Sequence, residues 1–195
     1  MKLIKISLML VFLTQFFISC SDKAGNNESH TNLSTTVDSL RQELNTVKDR
    51  QDIAALAYGF SDAVMRADSA SFSKIWDDDA VWTIKAPMFS SLVSKKEIMK
   101  VFLPRMKSLD YFINYPTNYT ISITGNQASA LFYILEAGQF KEGKKGYYNY
   151  AVYSDSLVKK NGKWLFTKRE YNYIYLDHSA MKGDPIASPF SVLEN

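Results

Sequence analysis

"YSDSLVKKNGKWLFTKR", residues 153–169, is the stretch whose reading decides the fold. Two runs of alternating character flank Asn161-Gly162, a dipeptide that accepts positive φ at both positions and so closes a two-residue hairpin. In the second run Trp164 and Phe166 share one face by the period of two, and both are predicted to be buried against helices. Asp155 and Arg169 stand on the two strands of this hairpin, where they read as a structural ion pair rather than as catalysts. Working outward, strand-like runs occur around 80–85, 111–123, 128–140 and 147–158, with the hairpin's second strand over 163–176. Gly125-Asn126 and the "KEGKKG" tip (141–146) separate them as further turns.

Before the strands the periodicity is helical. Leu33, Val37, Leu40, Leu44 and Val47 follow 4-3-4-3 spacing, and Ile53, Leu56, Ala57, Phe60, Val64 and Ala67 continue a single face. The spacing predicts one long helix, or two in tandem, over 33–67; two heptads alone do not specify a coiled coil. Asp68 caps a short helix carrying Phe72 and Trp76. Ser94-Lys95-Lys96-Glu97 is a capping box opening a helix with Ile98, Phe102 and Met106 inward, which Pro104 should bend or end early. Helices first and an antiparallel meander after them argue an α+β fold, a curved sheet wrapped around N-terminal helices.

The chain of 195 residues, 46% apolar, has material for one core with appendages. We divide it into a leader (1–19), a polar tether (20–32), an amphipathic helical extension (33–50), a folded domain (51–178) and a tail (179–195). A formal charge of +3 argues against nucleic acid as a partner. One cysteine rules out an internal disulfide framework. His30 and His178 lie far apart with no ligand-spaced neighbour, which argues against zinc and non-haem iron. The acids at 77–79 read as a loop, so no metal is assigned, and nothing in the sequence calls for a cofactor.

The first twenty residues read as an address. Lys2 and Lys5 precede an apolar run from Ile6 to Ile18, the length of a secretory h-region and short for a membrane span. "FISC" (17–20) resembles a bacterial lipobox, which implies that Cys20 is lipid-modified and becomes the mature N-terminus. More than one acyl chain on that residue gives a stable anchor. The expected location is the bacterial cell envelope.

From about Arg50 to about Tyr175 the chain resembles the SnoaL-like branch of the nuclear transport factor 2-like superfamily. The resemblance rests on "DRQDIAALAYGFSDAVMRADSASFSKIWDDDAVW" (49–82), "TNYTISITGN" (117–126) and the opening hairpin, in that order. It implies a cone-shaped α+β barrel, a pocket between sheet and helices, and frequently a homodimer. Enzymatic relatives include dehydratases, isomerases and polyketide cyclases, many of which use a helical Tyr and Asp with a strand His. In this chain those positions are Phe60, Met65 and Asn114. Asn hydrogen-bonds a carbonyl but cannot take a proton.

Two acids are candidates for a displaced base. Asp62 lies about 160° around the helix from the Ile53–Phe60–Val64 stripe, counting about 100° per residue, and reads as solvated. Glu136 sits in an apolar strand, where burial would raise its pKa, although a rim position is the commoner outcome. Trp82 is expected in the core. Tyr115, Tyr133, Tyr148 and Tyr150 either line the pocket with hydroxyls or pack on the sheet. The pocket expected from these assignments comprises Phe60, Met65, Trp82, Asn114, Tyr115, Tyr133 and Tyr150. Three functions stay open: a tethered module binding a small hydrophobic or aromatic ligand without family-type catalysis, a lyase or isomerase acting through displaced groups, and an interaction module with a filled pocket. The missing family triad tilts the sequence toward the first.

Overall fold

The computed structural model describes residues 23–178, so the leader, Cys20 and the tail lie outside the described residues. In chain order the elements are α1 (Lys23–Met65), α2 (Ser69–Lys74), β1 (Trp76–Ile84), β2 (Ser90–Val93), α3 (Lys95–Lys107), β3 (Leu109–Thr124), β4 (Gln127–Phe140), β5 (Gly146–Lys160) and β6 (Lys163–Asp177). The described residues up to Glu43 belong to one unit and are helical. Those from Leu44 onward form a second unit that carries the sheet. No described helix is long and apolar enough to cross a membrane.

The strands form one six-stranded sheet in the order β2-β1-β6-β5-β4-β3, curved but unclosed, so the barrel implied by the resemblance is an open sheet. Asn161 and Gly162 take φ of 52° and 75°, which gives the hairpin turn expected of the pair. β3 to β6 are the predicted antiparallel meander, whereas β1 pairs with β6 in parallel. These two strands are not joined by a hairpin, so no local turn dictates their direction. Register shifts within β1, β3, β5 and β6 supply the local bends that a curved sheet needs.

Several boundaries differ from the sequence reading. α1 begins at Lys23, inside the expected tether, because no proline interrupts the chain between Lys23 and Met65. Asp68 caps α2 as predicted, accepting from the Ala70 and Ser71 N–H groups at 3.0 Å each. Trp76 opens β1 instead of riding on α2, and the acids at 77–79 lie within β1 at its irregular step, not in a loop. There Asp77 pairs with Lys160 at 2.5 Å. Among the described residues no three His, Cys, Asp or Glu side chains gather to hold a metal. β2, only four residues long, escaped the sequence reading.

The capping box at α3 forms. Ser94 accepts from the Glu97 N–H at 3.4 Å, and the Glu97 carboxylate reaches back to the Val93 N–H at 2.9 Å. Pro104 does not end the helix, which runs to Lys107. It falls in the last turn, where only a short stretch of ladder remains to be disturbed.

Alternation along the strands places Phe132 and Ile134 of β4, Ala151, Tyr153 and Leu157 of β5, and Trp164 and Phe166 of β6 on the buried face of the sheet. They form one cluster with Ile53, Ala57, Phe60 and Val64 of α1, Phe72 of α2, and Ile98 and Phe102 of α3. Phe72 stacks on Phe102 at 3.9 Å, and Phe60 stands edge-on to Trp82 and Tyr153 at 5.8 and 5.6 Å. Trp164 is buried, and its Nε1 donates to Asp49 at 3.0 Å. Trp164→Ala is therefore expected to cost about 3–5 kcal/mol in denaturant unfolding, the range for deleting a core aromatic. A change below about 1 kcal/mol would mean that the indole contributes as a surface group does.

Candidate functional site

The registers of β3, β4 and β5 set Asn114, Glu136 and Asn149 directly opposite one another, forming one polar rung across three strands of the buried face. Glu136 is only 9% exposed, so the rim position expected from sequence is not where it lies. The Asn114 amide Nδ2 donates to Glu136 Oε2 at 3.0 Å, and the Asn149 amide donates to Oε1 at 3.3 Å. Asn149 also donates to the Tyr171 hydroxyl at 3.2 Å, and that hydroxyl contributes a further hydrogen bond to Glu136. On the helix side Ser61 of α1 donates to Asn114 Oδ1 at 2.6 Å. This bond takes up the acceptor end of that amide and leaves its N–H groups facing Glu136, fixing the orientation of the side chain.

Burial pushes the Glu136 carboxyl up to about 7, against the three hydrogen bonds and the charge of Arg105, which favour the ionised form. Tyr147, Tyr153, Tyr171 and Tyr173 ring this carboxyl, and their hydroxyl pKa values are raised by burial first and by its charge second or later. Tyr173, half-buried, is pushed up to about 12. At neutral pH the site therefore holds neutral phenols around one carboxyl that titrates near 7. Such a group exchanges a proton readily near neutrality, which an exposed glutamate does not. Gly138 has its own steric role, because a Cβ there would meet the Tyr147 hydroxyl at 2.9 Å.

A second polar pair lies on the same face. Asp155 and Arg169 are directly opposite on β5 and β6, as the hairpin reading expected, with Nε to Oδ1 at 3.3 Å. The guanidinium carbon sits 3.8 to 4.3 Å from the ring centres of Tyr153, Phe60 and Phe166. Burial raises the Asp155 carboxyl to about 7, opposed by the Arg169 charge.

The predicted site residues fall into two sets. Asn114 and Glu136 are brought together. Phe60 is buried among aromatic rings, Trp82 packs against the same cluster, and Met65 is half-buried in the last turn of α1. Asp62 is exposed and paired loosely with Arg66 at 4.0 Å. Tyr115, Tyr133 and Tyr150 lie on the opposite face of the sheet from Glu136. The pleat dictates this: Tyr115 follows Asn114, Tyr150 follows Asn149, and Tyr133 is three residues from Glu136, so each points the other way. A groove of about 580 Å³ also lies on that outer face, with Ser122, Thr124, Gln127, Ser129 and Ser156 in its lining. Sequence reasoning missed Asn149, Tyr171 and Ser61. Counting registers from the turns would have set Asn149 opposite Glu136, but nothing in the spacing joins Ser61 to Asn114, 53 positions away.

Residues 45–170 match the family described as SnoaL-like domain. Among solved structures, LinA superposes with a TM-score of 0.66 at 23% identity, covering 75% of this chain and 99% of that one. A hexachlorocyclohexane dehydrochlorinase, LinA-type3 from Novosphingobium barchaimii, gives 0.63 at 20% identity over 75% and 99%. A scytalone dehydratase-like protein from Novosphingobium aromaticivorans gives 0.63 at 15% over 75% and 98%. At these identities the likeness is one of fold. No curated protein matches the sequence.

Proposed function

Taking as premise that this chain belongs to the SnoaL-like domain family, we propose that it is a proton-transfer enzyme with Glu136 as its acid–base group. The substrate class is a small, largely apolar cyclic or polyketide-like molecule, and the reaction is an elimination or isomerisation. The observation that carries this reading is a buried carboxyl on the helix-facing side of the sheet, held by two amides and a phenol and titrating near 7. Dehydrochlorination and dehydration, the reactions in the names of two fold neighbours, both remove a proton and a leaving group from adjacent carbons. One well-placed base serves such a step, and Asn114, at the family's His position, holds that base instead of acting as one.

A second reading, ligand binding without turnover, is favoured by Phe60 and Met65 at the family's other two catalytic positions. A panel of hydroxylated and halogenated cyclic compounds separates the two. Turnover by the parent that collapses in Glu136→Gln supports the enzyme, whereas a ligand that raises the melting temperature of both proteins without turnover supports the binding module.

The lipid tether belongs to the same proposal. Cys20, the only thiol, ends a short apolar run, so the mature chain is expected to begin there and to partition with membranes. Cys20→Ala is expected to accumulate as an unprocessed precursor. Identical migration and fractionation of the variant and the parent would remove the tether from the scheme.

A further inference from the structure

α1 carries two apolar stripes. The Ile53–Ala57–Phe60–Val64 stripe is buried on the sheet, but the Leu33–Val37–Leu40–Leu44–Val47 stripe is not: Leu40 is 58% exposed and Leu44 68%. In heptad terms Val37 and Leu44 are a positions and Leu33, Leu40 and Val47 are d positions, all on one continuous helix. Val37 at a with Leu40 at d is a two-stranded choice, an order that Leu44 at a and Val47 at d reverse in the next heptad. The next d position, Ala54, is already buried, and Asp49 just before it binds Trp164 and Lys159, so the seam stops where the helix meets the folded body.

The flanking charges select the partner and its direction. Glu43 occupies a g position and has no ion pair among the described residues. Arg41 and Lys48 occupy e positions. In a parallel pair, g of one helix faces the following e of the other, which sets Glu43 against Lys48 of a second copy. Lys48 already meets Asp52 at 2.5 Å, and its ammonium has donors enough for both carboxylates. In an antiparallel pair, e faces e, and the basic Arg41 and Lys48 would meet copies of themselves.

We infer that residues 33–47 of α1 form a short parallel two-stranded coiled coil with a second copy of this chain. The seam spans about 22 Å at 1.5 Å per residue and is marginal as an isolated peptide. Two chains anchored side by side would gain effective concentration, and parallel is the direction that such anchoring imposes.

The test uses the full chain at about 100 μM in a Cys20→Ser background. Sedimentation is expected to give a dimer mass for the parent and a monomer mass for Leu40→Glu/Leu44→Glu, with the melting temperature of the folded body unchanged. Leu44→Cys is expected to form a disulfide-linked dimer under mild oxidation, because a parallel pair sets residue 44 against itself. Charge reversal by Glu43→Lys should weaken the dimer, and adding Lys48→Glu should restore it. A monomeric parent, a dimer that survives Leu40→Glu/Leu44→Glu, or a Leu44→Cys protein that does not cross-link would each overturn the inference.

Discussion

Asp155→Ala is expected to destabilise the folded domain by about 3–5 kcal/mol, the range for removing one partner of a buried ion pair. Arg169 is fully buried and forms an ion pair with Asp155. Without that carboxylate the guanidinium keeps only the faces of Tyr153, Phe60 and Phe166, each contributing about 0.5–2 kcal/mol as a cation–π partner. The pair meets at 3.3 Å without hydrogen-bond geometry, so the Coulomb attraction rather than a directed bond is what the variant loses. The double change Asp155→Leu with Arg169→Met, which removes both charges together, should recover most of the loss. Urea unfolding of the three proteins at one pH decides the matter. A single-variant loss below about 1 kcal/mol would show that the aromatic cage alone satisfies Arg169.

Glu136→Gln is expected to lower turnover by about 10²–10⁴-fold, the usual worth of one positioned acid or base, on any substrate that the panel identifies. If Glu136 acts as a base, kcat/KM of the parent should rise with pH up to about 7 and then level off. Stability should move the other way. The folded carboxyl holds its proton more tightly than the unfolded one, whose ordinary value is 4.5. Its contribution is therefore fully present below about 4.5 and lost as pH climbs to about 7. Each tenfold difference in proton affinity is about 1.4 kcal/mol, so the loss is on the order of 3 kcal/mol. Glu136→Gln should lack this part of the pH dependence. A parent whose melting temperature between pH 4.5 and 7 tracks that of the variant would show that Glu136 is not held in the way described.

The four long strands of the meander, the hairpin at Asn161-Gly162 and the caps at Asp68 and Ser94 were legible in the sequence because each is a local signal, a period or a turn chemistry. The parallel β1–β6 pairing was not, because it joins two segments of different hairpins and no local residue encodes it. Glu136 was picked out by its apolar surroundings, yet its burial depends on β3 and β5 lying on either side of β4. Tyr115 and Tyr150 stand on the other face of the sheet from Asn114 and Asn149 for a reason present in the sequence: each is adjacent to its asparagine, and adjacent strand residues point to opposite faces. Ser61 shows the opposite limit, since a helix residue meets a strand residue only through tertiary packing that no spacing reveals.

The rung of Asn114, Glu136 and Asn149 has a consequence for assembly of the sheet as well as for chemistry. Long hairpin strands with apolar residues on one face tolerate sliding by two positions, since the same face stays inward. A slide of β4 by two residues would set Glu136 against a mismatched neighbour on both sides, leaving a buried carboxyl without its amides and the amides without their acceptor. Each stranded polar group costs about 1–3 kcal/mol, and more when charged. The rung thus penalises every wrong alignment of three strands at once and acts as a key that admits a single register.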